Sequence, residues 1–389
     1  MIREILPTSS LYNLTLGCRF QMLDVLSSVL PERTCWILGS GASYDCTGQA
    51  GGDLPLTTHI VGLEELTSEE REELGHATSG ALGQPDVGKA VTTDLEQTID
   101  HLRGLSLSAN QHIALRANTA LRTLIKVIAG NLSAAQFAAV VDDNLGGGPL
   151  PPRNYAWLGV EITKNPQWSA ITLNYDDLLD WVFRFIIGLG RFPKPTQFVG
   201  WEASLVKICA GEPIEKADSG IYVKAHGTLG LHSCQNLNCV RYRVPFRTLP
   251  VDEGWKSLRL VPPEFPCATC GKRALELILP PGRNKTREEG MYFESAAGLT
   301  RLALARFDLW ILLGYSVPDY DQDMITLLRH VLQAPTEAKR ERVILVINPD
   351  AEKIASRLKV ALGHDVLPMK ATFSEFATRC GCPSYADLA

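Results

Sequence analysis

The sequence predicts an α/β protein built on a doubly wound, Rossmann-like parallel sheet, with a helical insertion and a small cysteine-bearing insertion. Three observations carry this reading. Short β-branched and apolar runs recur along the chain, helix-patterned segments alternate with them, and two stretches break the alternation.

The runs are CWILG (35–39), SAITLN (169–174), IYVKAH (221–226), LELILP (275–280), DLWILLG (308–314) and VILVIN (343–348). They are continuously apolar instead of alternating, which marks strands buried on both faces, as in a parallel sheet covered by helices. DDLLDWVFRFI (176–186) and GLTRLALARF (298–307) repeat apolar residues at helical spacing and read as crossovers. Strands joined by helices give a doubly wound sheet, and ligands on that architecture bind outside the carboxyl ends of the strands. Here those ends carry GSGAS, NYDD, HGT and GYS, so the chemistry is expected there.

Residues 60–150 lack strand patterns. SEEREELGHA (68–77) and DLEQTIDHLRGL (94–105) are charge-laced and helical, and the loop GGGPLPPRN (146–154) closes the segment. Residues 231–274 hold four cysteines and several prolines, as a small metal-held module does. The expected division gives 1–59, 151–230 and 275–389 to the sheet, 60–150 to the helical insertion and 231–274 to the metal module.

With 389 residues, 45% hydrophobic and 21% charged, the chain is long enough for a sizeable core and ordinary for a globular protein. A formal net charge of -5 supplies no basic face for duplex DNA or an anionic membrane, so direct nucleic-acid binding and membrane association are not expected. The start, MIREILPTSSLYNL, carries charge and Pro7 where a secretory signal needs an apolar segment, and no apolar run reaches spanning length. A cytoplasmic location is expected. In that reducing compartment paired cysteines read first as metal ligands.

Each motif has a plain alternative. Gly39-Ser40-Gly41-Ala42-Ser43 follows the first strand, where glycines let a backbone approach a pyrophosphate; it is otherwise an ordinary tight turn, and Tyr44 holds the place of the third glycine of GxGxxG. In Thr172-Leu173-Asn174-Tyr175-Asp176 the Asn174 amide suits a ribose hydroxyl or a water, with Asp176 to orient it, or the two cap the next helix. His226, before Gly227 at a strand end, suits a general base, although a lone histidine is often structural. Cys234-x4-Cys239 and Cys267-x2-Cys270 have the paired spacing of a tetrahedral zinc site, with His232 as a reserve ligand; a closed four-cysteine site is structural. Gly314-Tyr315-Ser316 and Asn348-Pro349-Asp350 place small and polar residues at the later strand ends, where they suit phosphates and ribose.

Taken in order, GSGAS, TLNYD, AHG, the two cysteine pairs, GYS and INPD resemble the motif series of the SIR2-like (sirtuin-related) family from residue 35 to about 350. The resemblance implies NAD as substrate and a structural zinc. It implies that Gly39, Gly41, Ala42 and Ser43 cradle the pyrophosphate, and that Asn174 and Asp176 line the nicotinamide-ribose site. It makes His226 the base and sets Gly314, Ser316 and Asn348 on the phosphates and adenosine ribose. Protein-deacylating sirtuins carry a Pro-Asp-Phe-Arg sequence and a Phe-Gly-Glu loop. Here the corresponding regions read GGDLPLTT (51–58) and ILPPGRN (278–284), so the parts that clamp an acyl-peptide are missing. TLNYD and GYSVPDYD are similar to divergent SIR2-like domains of bacterial anti-phage defence, whose family activity is NAD depletion. The implied activity is NAD glycohydrolase. Beside it stand a sirtuin-type deacylase or ADP-ribosyltransferase and a non-catalytic NAD or ADP-ribose sensor. The implied partners are further copies of the chain and a separate sensor or ATPase, such as a HerA-like DNA translocase.

Overall fold

A computed structural model describes residues 34–46, 68, 72, 95–141, 152–165, 168–188, 220–234, 236, 238–240, 245–247, 265–278, 291–318, 321–334 and 342–382. GGDLPLTT and most of ILPPGRN lie outside these residues, as does SEEREELGHA apart from positions 68 and 72.

Six strands form the main sheet: β1 (Thr34–Leu38), β2 (Ser169–Thr172), β3 (Tyr222–Lys224), β8 (Leu309–Leu313), β9 (Val343–Asn348) and β10 (Val366–Lys370). Their order is β10-β9-β8-β1-β2-β3, and every neighbouring pair is parallel. This is the doubly wound order, in which the chain works outward from β1 in one direction and then returns to build outward on its other side. The switch point therefore falls between β1 and β8.

Alternate side chains of the same strands feed two cores. Trp36 and Leu38 of β1 pack beneath α3 (Gln111–Val141), α4 (Arg153–Lys164), α5 (Leu178–Gly188) and α9 (Phe373–Arg379), with Leu124, Leu158, Trp181 and Phe376 among the buried residues. Cys35 and Ile37 point to the other side, beneath α6 (Met291–Arg306), α7 (Gln322–Gln333) and α8 (Ala351–Leu362), where Leu299, Leu328 and Leu358 are buried. All five residues of β1 are buried, as the apolar run predicts for a central strand. Within residues 60–150 the described stretch 95–141 forms α2 (Leu95–Ser106) and α3, joined by the turn at 107–110. No described helix is long and apolar enough to cross a membrane.

Two strands depart from the sequence reading. LELILP was expected in the parallel sheet, but β7 (Arg273–Ile278) lies in a separate antiparallel sheet of order β5-β4-β7-β6, with β4 (Gly227–Cys234), β5 (Pro245–Arg247) and β6 (Phe265–Pro266). A short apolar run specifies burial but not the sheet in which it is buried. The sixth parallel strand is β10, which pairs on one side only and is partly exposed, with only Val366 and Met369 buried. Pro368 within it lacks an N–H, which an edge strand tolerates and a central strand does not.

The switch point is closed by backbone packing. Gly39 N–H donates to Leu313 O at 3.0 Å and Gly41 N–H to Gly314 O at 2.9 Å. A Cβ on Gly39 would lie 2.5 Å from Tyr315 Cα, and one on Gly314, whose φ is +63°, would lie 2.2 Å from Ala42 N. Gly363 has nearly the same φ, +64°, but open space around it. Gly314→Ala is therefore expected to lower stability by about 2 kcal/mol or more, and Gly363→Ala by about 1 kcal/mol. Urea unfolding of the two variants checks this; equal midpoints would show that the close approach costs nothing.

Candidate functional site

The site is built from the loops that leave the carboxyl ends of β1, β2, β3 and β8. After β1 the chain turns at Gly39 into the single-turn helix α1 (Ser40–Tyr44). This helix packs so closely on Gly314 that its first amides serve the protein: Gly41 N–H binds Gly314 O, and Ala42 N–H binds Gly39 O at 2.9 Å. What the glycines supply at the crevice is a thin backbone wall, and Ala42 behind it is buried.

Below that wall lies a buried polar knot. Asn174 donates through Nδ2 to Gly39 O at 3.0 Å and to Ser43 Oγ at 2.7 Å, while its backbone N–H is held by Thr172 Oγ1 at 3.1 Å. Ser43 Oγ donates to Asp176 Oδ2 at 2.7 Å and lies 3.0 Å from the Tyr155 hydroxyl. Asp176 Oδ1 accepts from Leu178 N–H at 3.2 Å, so this carboxylate also caps α5. Thus Asn174, Ser43 and Asp176 are brought together, and Ser43 and Asp176 face one another in the interior. Asn174 keeps Oδ1 as an acceptor without a hydrogen bond among the described residues. Tyr155, on α4, escapes sequence analysis because an apolar position of an amphipathic helix carries no sign of its phenol.

A second knot adjoins the first. Lys224, the last residue of β3, is buried and reaches Asp177 Oδ1 at 2.6 Å, Asp180 Oδ2 at 3.1 Å and the backbone oxygen of Asp176. Asp177 Oδ1 also accepts from Thr228 Oγ1 of β4, its N–H is held by Gln136 Oε1 of α3 at 2.7 Å, and Asp180 accepts from Tyr222 OH at 2.9 Å. Burial alone would depress the Lys224 ammonium, but the charges of Asp177, Asp180 and Asp176 outweigh it and hold its pKa above the ordinary value. Burial raises the Asp176 carboxyl, and Lys224 draws it back. A lysine inside an otherwise apolar strand is the one sequence signal that marks this cluster.

His226 sits in the turn between β3 and β4, where Gly227, at φ +88°, reverses the chain. Its Nδ1 lies 3.1 Å from Leu173 O, directly before Asn174, and its Nε2 lies 3.6 Å from Asp321 Oδ1. The imidazole is thus brought to the same crevice wall as the Asn174 loop. Gly314 anchors the β8 end to β9 through its N–H on Ile347 O at 3.0 Å. Ser316 is exposed after it, and Asn348 closes β9 with Oδ1 on Asp350 N–H at 2.9 Å.

The four cysteines converge apart from these groups. Cys234 ends β4, Cys239 follows in a turn, and Cys267 and Cys270 form a knuckle between β6 and β7, with Gly271 N–H on Cys267 O at 2.8 Å. Their sulfurs all lie within 4.8 Å of one another, with Sγ–Sγ separations of 3.6 Å for Cys234–Cys270 and 3.9 Å for Cys239–Cys267. Tetrahedral zinc with Zn–S bonds of about 2.3 Å needs edges of about 3.8 Å, so the thiols fit that ion and leave it no open position. Burial opposes ionisation of Cys267, but the N–H groups of Thr269 and Cys270 at its sulfur pull it down to about 6. His232, the reserve ligand, is outside the set.

No protein-family model matches the chain, and no curated protein does. Among solved structures it is similar to a Sir2 homologue mutant bound to ADP-ribose, at 14% identity over 93% of this chain and 94% of that one, with a TM-score of 0.43. A Sir2 homologue in complex with NAD matches at 14% identity over 94% and 93%, with a TM-score of 0.41. Sir2Tm bound to a propionylated peptide matches at 13% identity over 93% and 97%, with a TM-score of 0.36.

Two outcomes follow from the geometry. The protein purified without chelators is expected to carry about one zinc per chain and to lose thermal stability on chelation, since binding energy is folding energy in such modules; elemental analysis finding no zinc removes the assignment. The buried cation sets the second. Its pKa is raised above 10.5, so its stabilising contribution is complete below that pH and lost above it. Tyr155 and Tyr222, raised above 10.0 chiefly by burial, act in the same sense. Stability is therefore expected to hold through neutral pH and fall steeply above about pH 10, while Lys224→Met, which strands the carboxylates, costs about 3–5 kcal/mol at pH 7. Denaturant midpoints that stay flat to pH 11, or a variant as stable as the parent, contradict the account.

Proposed function

We propose that the chain hydrolyses NAD to nicotinamide and ADP-ribose. The observation that carries the proposal is that Asn174 binds the Gly39 turn while His226 binds Leu173 O, the residue before Asn174, near the switch point between β1 and β8, where doubly wound sheets take up nucleotides. The C1′–N bond of NAD has a cationic pyridinium leaving group. When it breaks, the electron pair neutralises the pyridinium and positive charge develops on the ribose, so no acid is required. The protein must orient the ribose, place a water and accept its proton. Asn174, anchored through Nδ2, offers Oδ1 to a ribose hydroxyl or the water. The lone pair of His226 takes the proton as the water oxygen bonds to C1′. In this reading Asp176 and Ser43 position Asn174 from within, Gly39, Gly41 and Ala42 form the wall against the pyrophosphate, and Gly314, Ser316 and Asn348 line the side toward the adenosine ribose.

Such an enzyme in a living cell needs restraint, and the proposed setting is a regulated effector of anti-phage defence, active when assembled with further copies or with a separate sensor. Exposed Leu107, Ile113 and Leu115 on the helical insertion offer apolar surface for such contacts. A sirtuin-type acyl transfer is the second reading, favoured by the motif order alone.

Purified protein is expected to release nicotinamide and ADP-ribose from NAD without an acylated peptide, at a specific rate that rises with protein concentration. His226→Ala and Asn174→Ala should each reduce turnover at least about a hundredfold with zinc content unchanged. Turnover that appears only with an acyl-lysine peptide moves the assignment to the deacylase. Full hydrolysis by His226→Ala removes the histidine from the chemistry.

A further inference from the structure

We infer that Asp321 is the positioning residue for His226, forming with it and Tyr315 a buried Tyr–Asp–His relay at the carboxyl end of β8. The inference rests on the proposed base role of His226. Leu173 O can only accept a hydrogen bond, so at 3.1 Å it fixes the proton of a neutral ring on Nδ1 and leaves the lone pair on Nε2. That nitrogen faces Asp321 Oδ1 at 3.6 Å. At this distance the lone pair and the carboxylate repel weakly, and the two groups attract once the ring carries a proton. When water loses its proton to Nε2, the charge created on the imidazole arises 3.6 Å from a carboxylate already in place and is compensated by it without rearrangement.

The local structure is arranged for this. Asp321 is the N-cap residue of α7, yet its side chain accepts no capping hydrogen bond from the helix. Instead, its Oδ2 accepts from the Tyr315 hydroxyl, and the side chain is 1% exposed against 13% for His226, so the imidazole is the member of the pair that reaches the crevice. Between Tyr315 and Asp321, buried Val317 sits at φ +51°, a conformation that a β-branched residue adopts only when its surroundings impose it, and such strain gathers at functional loops. Among the described residues, Tyr175 also lies beside His226, with ring centroids 6.4 Å apart, and Lys224 is engaged by Asp177 and Asp180.

The test compares Asp321→Asn and Tyr315→Phe with the parent. Asp321→Asn removes the charge that favours the protonated ring, so kcat is expected to fall at least tenfold, with KM for NAD changed less than about threefold, and the acid limb of the kcat–pH profile to move to lower pH. Tyr315→Phe withdraws the phenol from Oδ2, concentrates charge on the carboxylate and moves the limb to higher pH, which keeps the inference testable if the Asn variant does not fold. A merely structural aspartate would lower kcat and leave both limbs in place, and that result overturns the inference. The imidazole 15N signals of His226 read the same pairing without substrate. They are expected to place the proton on Nδ1 and to differ between parent and Asp321→Asn; coincident spectra overturn the pairing whether or not the protein turns over NAD.

Discussion

The site hangs on one buried cation. Lys224 ends the shortest strand of the main sheet and draws Asp177, Asp180 and the backbone of Asp176 onto itself, which locks the loop after β2 against β3. An ammonium taken out of water costs several kcal/mol unless it is fully compensated, and here the compensation comes from a loop and a helix distant from β3 in sequence. The same carboxylates hold Thr228 of β4 and Tyr222 of β3, so the start of the antiparallel sheet is registered against the parallel one. Asn174 and His226 flank this lock, one on each strand end. Their meeting follows from the ion cluster and needs no attraction between them.

The second constraint is steric. The packing of Gly39 and Gly41 on Gly314 brings the β1 and β8 loops together as bare backbone, as the proposed nucleotide site requires. The backbone amides that a free loop would offer to an anion are partly used to hold that packing. Part of the proposed recognition of a pyrophosphate is therefore shape, and the charge-sensitive work falls to side chains around the crevice.

Five of the six parallel strands were legible because burial on both faces demands continuous apolar runs. β10 was not, because this edge strand is only partly buried and admits Pro368, whereas the opposite edge strand, β3, is buried throughout. LELILP was misplaced for the converse reason, since an antiparallel strand covered on its faces is just as apolar. At the site, chemistry-bearing residues at strand ends could be picked out one at a time, Asn174 and His226 among them. What could not be read was where their hydrogen bonds go. Ser43 faces inward to Asp176, Tyr155 arrives from a helix more than a hundred residues after Ser43, and Asp321 stands in GYSVPDYD with nothing in its spacing to single it out from Ser316 and Asp319. Partnership between distant segments is set by the fold and leaves no local pattern.

The cysteine cluster acquires a role from the same connectivity. β4 begins at Gly227, immediately after His226, and runs without a break to Cys234. Along it Leu229 N–H binds Tyr175 O at 3.0 Å, and Thr228 binds Asp177, so the first residues of the strand belong to the candidate site while its last belongs to the thiol cluster. A four-stranded antiparallel sheet of two- to eight-residue strands has little apolar surface of its own, and a metal at its far end supplies the missing folding energy. The register shift between Thr228 and His232 divides the strand into these two duties. A closed zinc site with no open coordination position would thus bear on the proposed chemistry through the backbone alone, since the strand it ends is the one that begins beside His226.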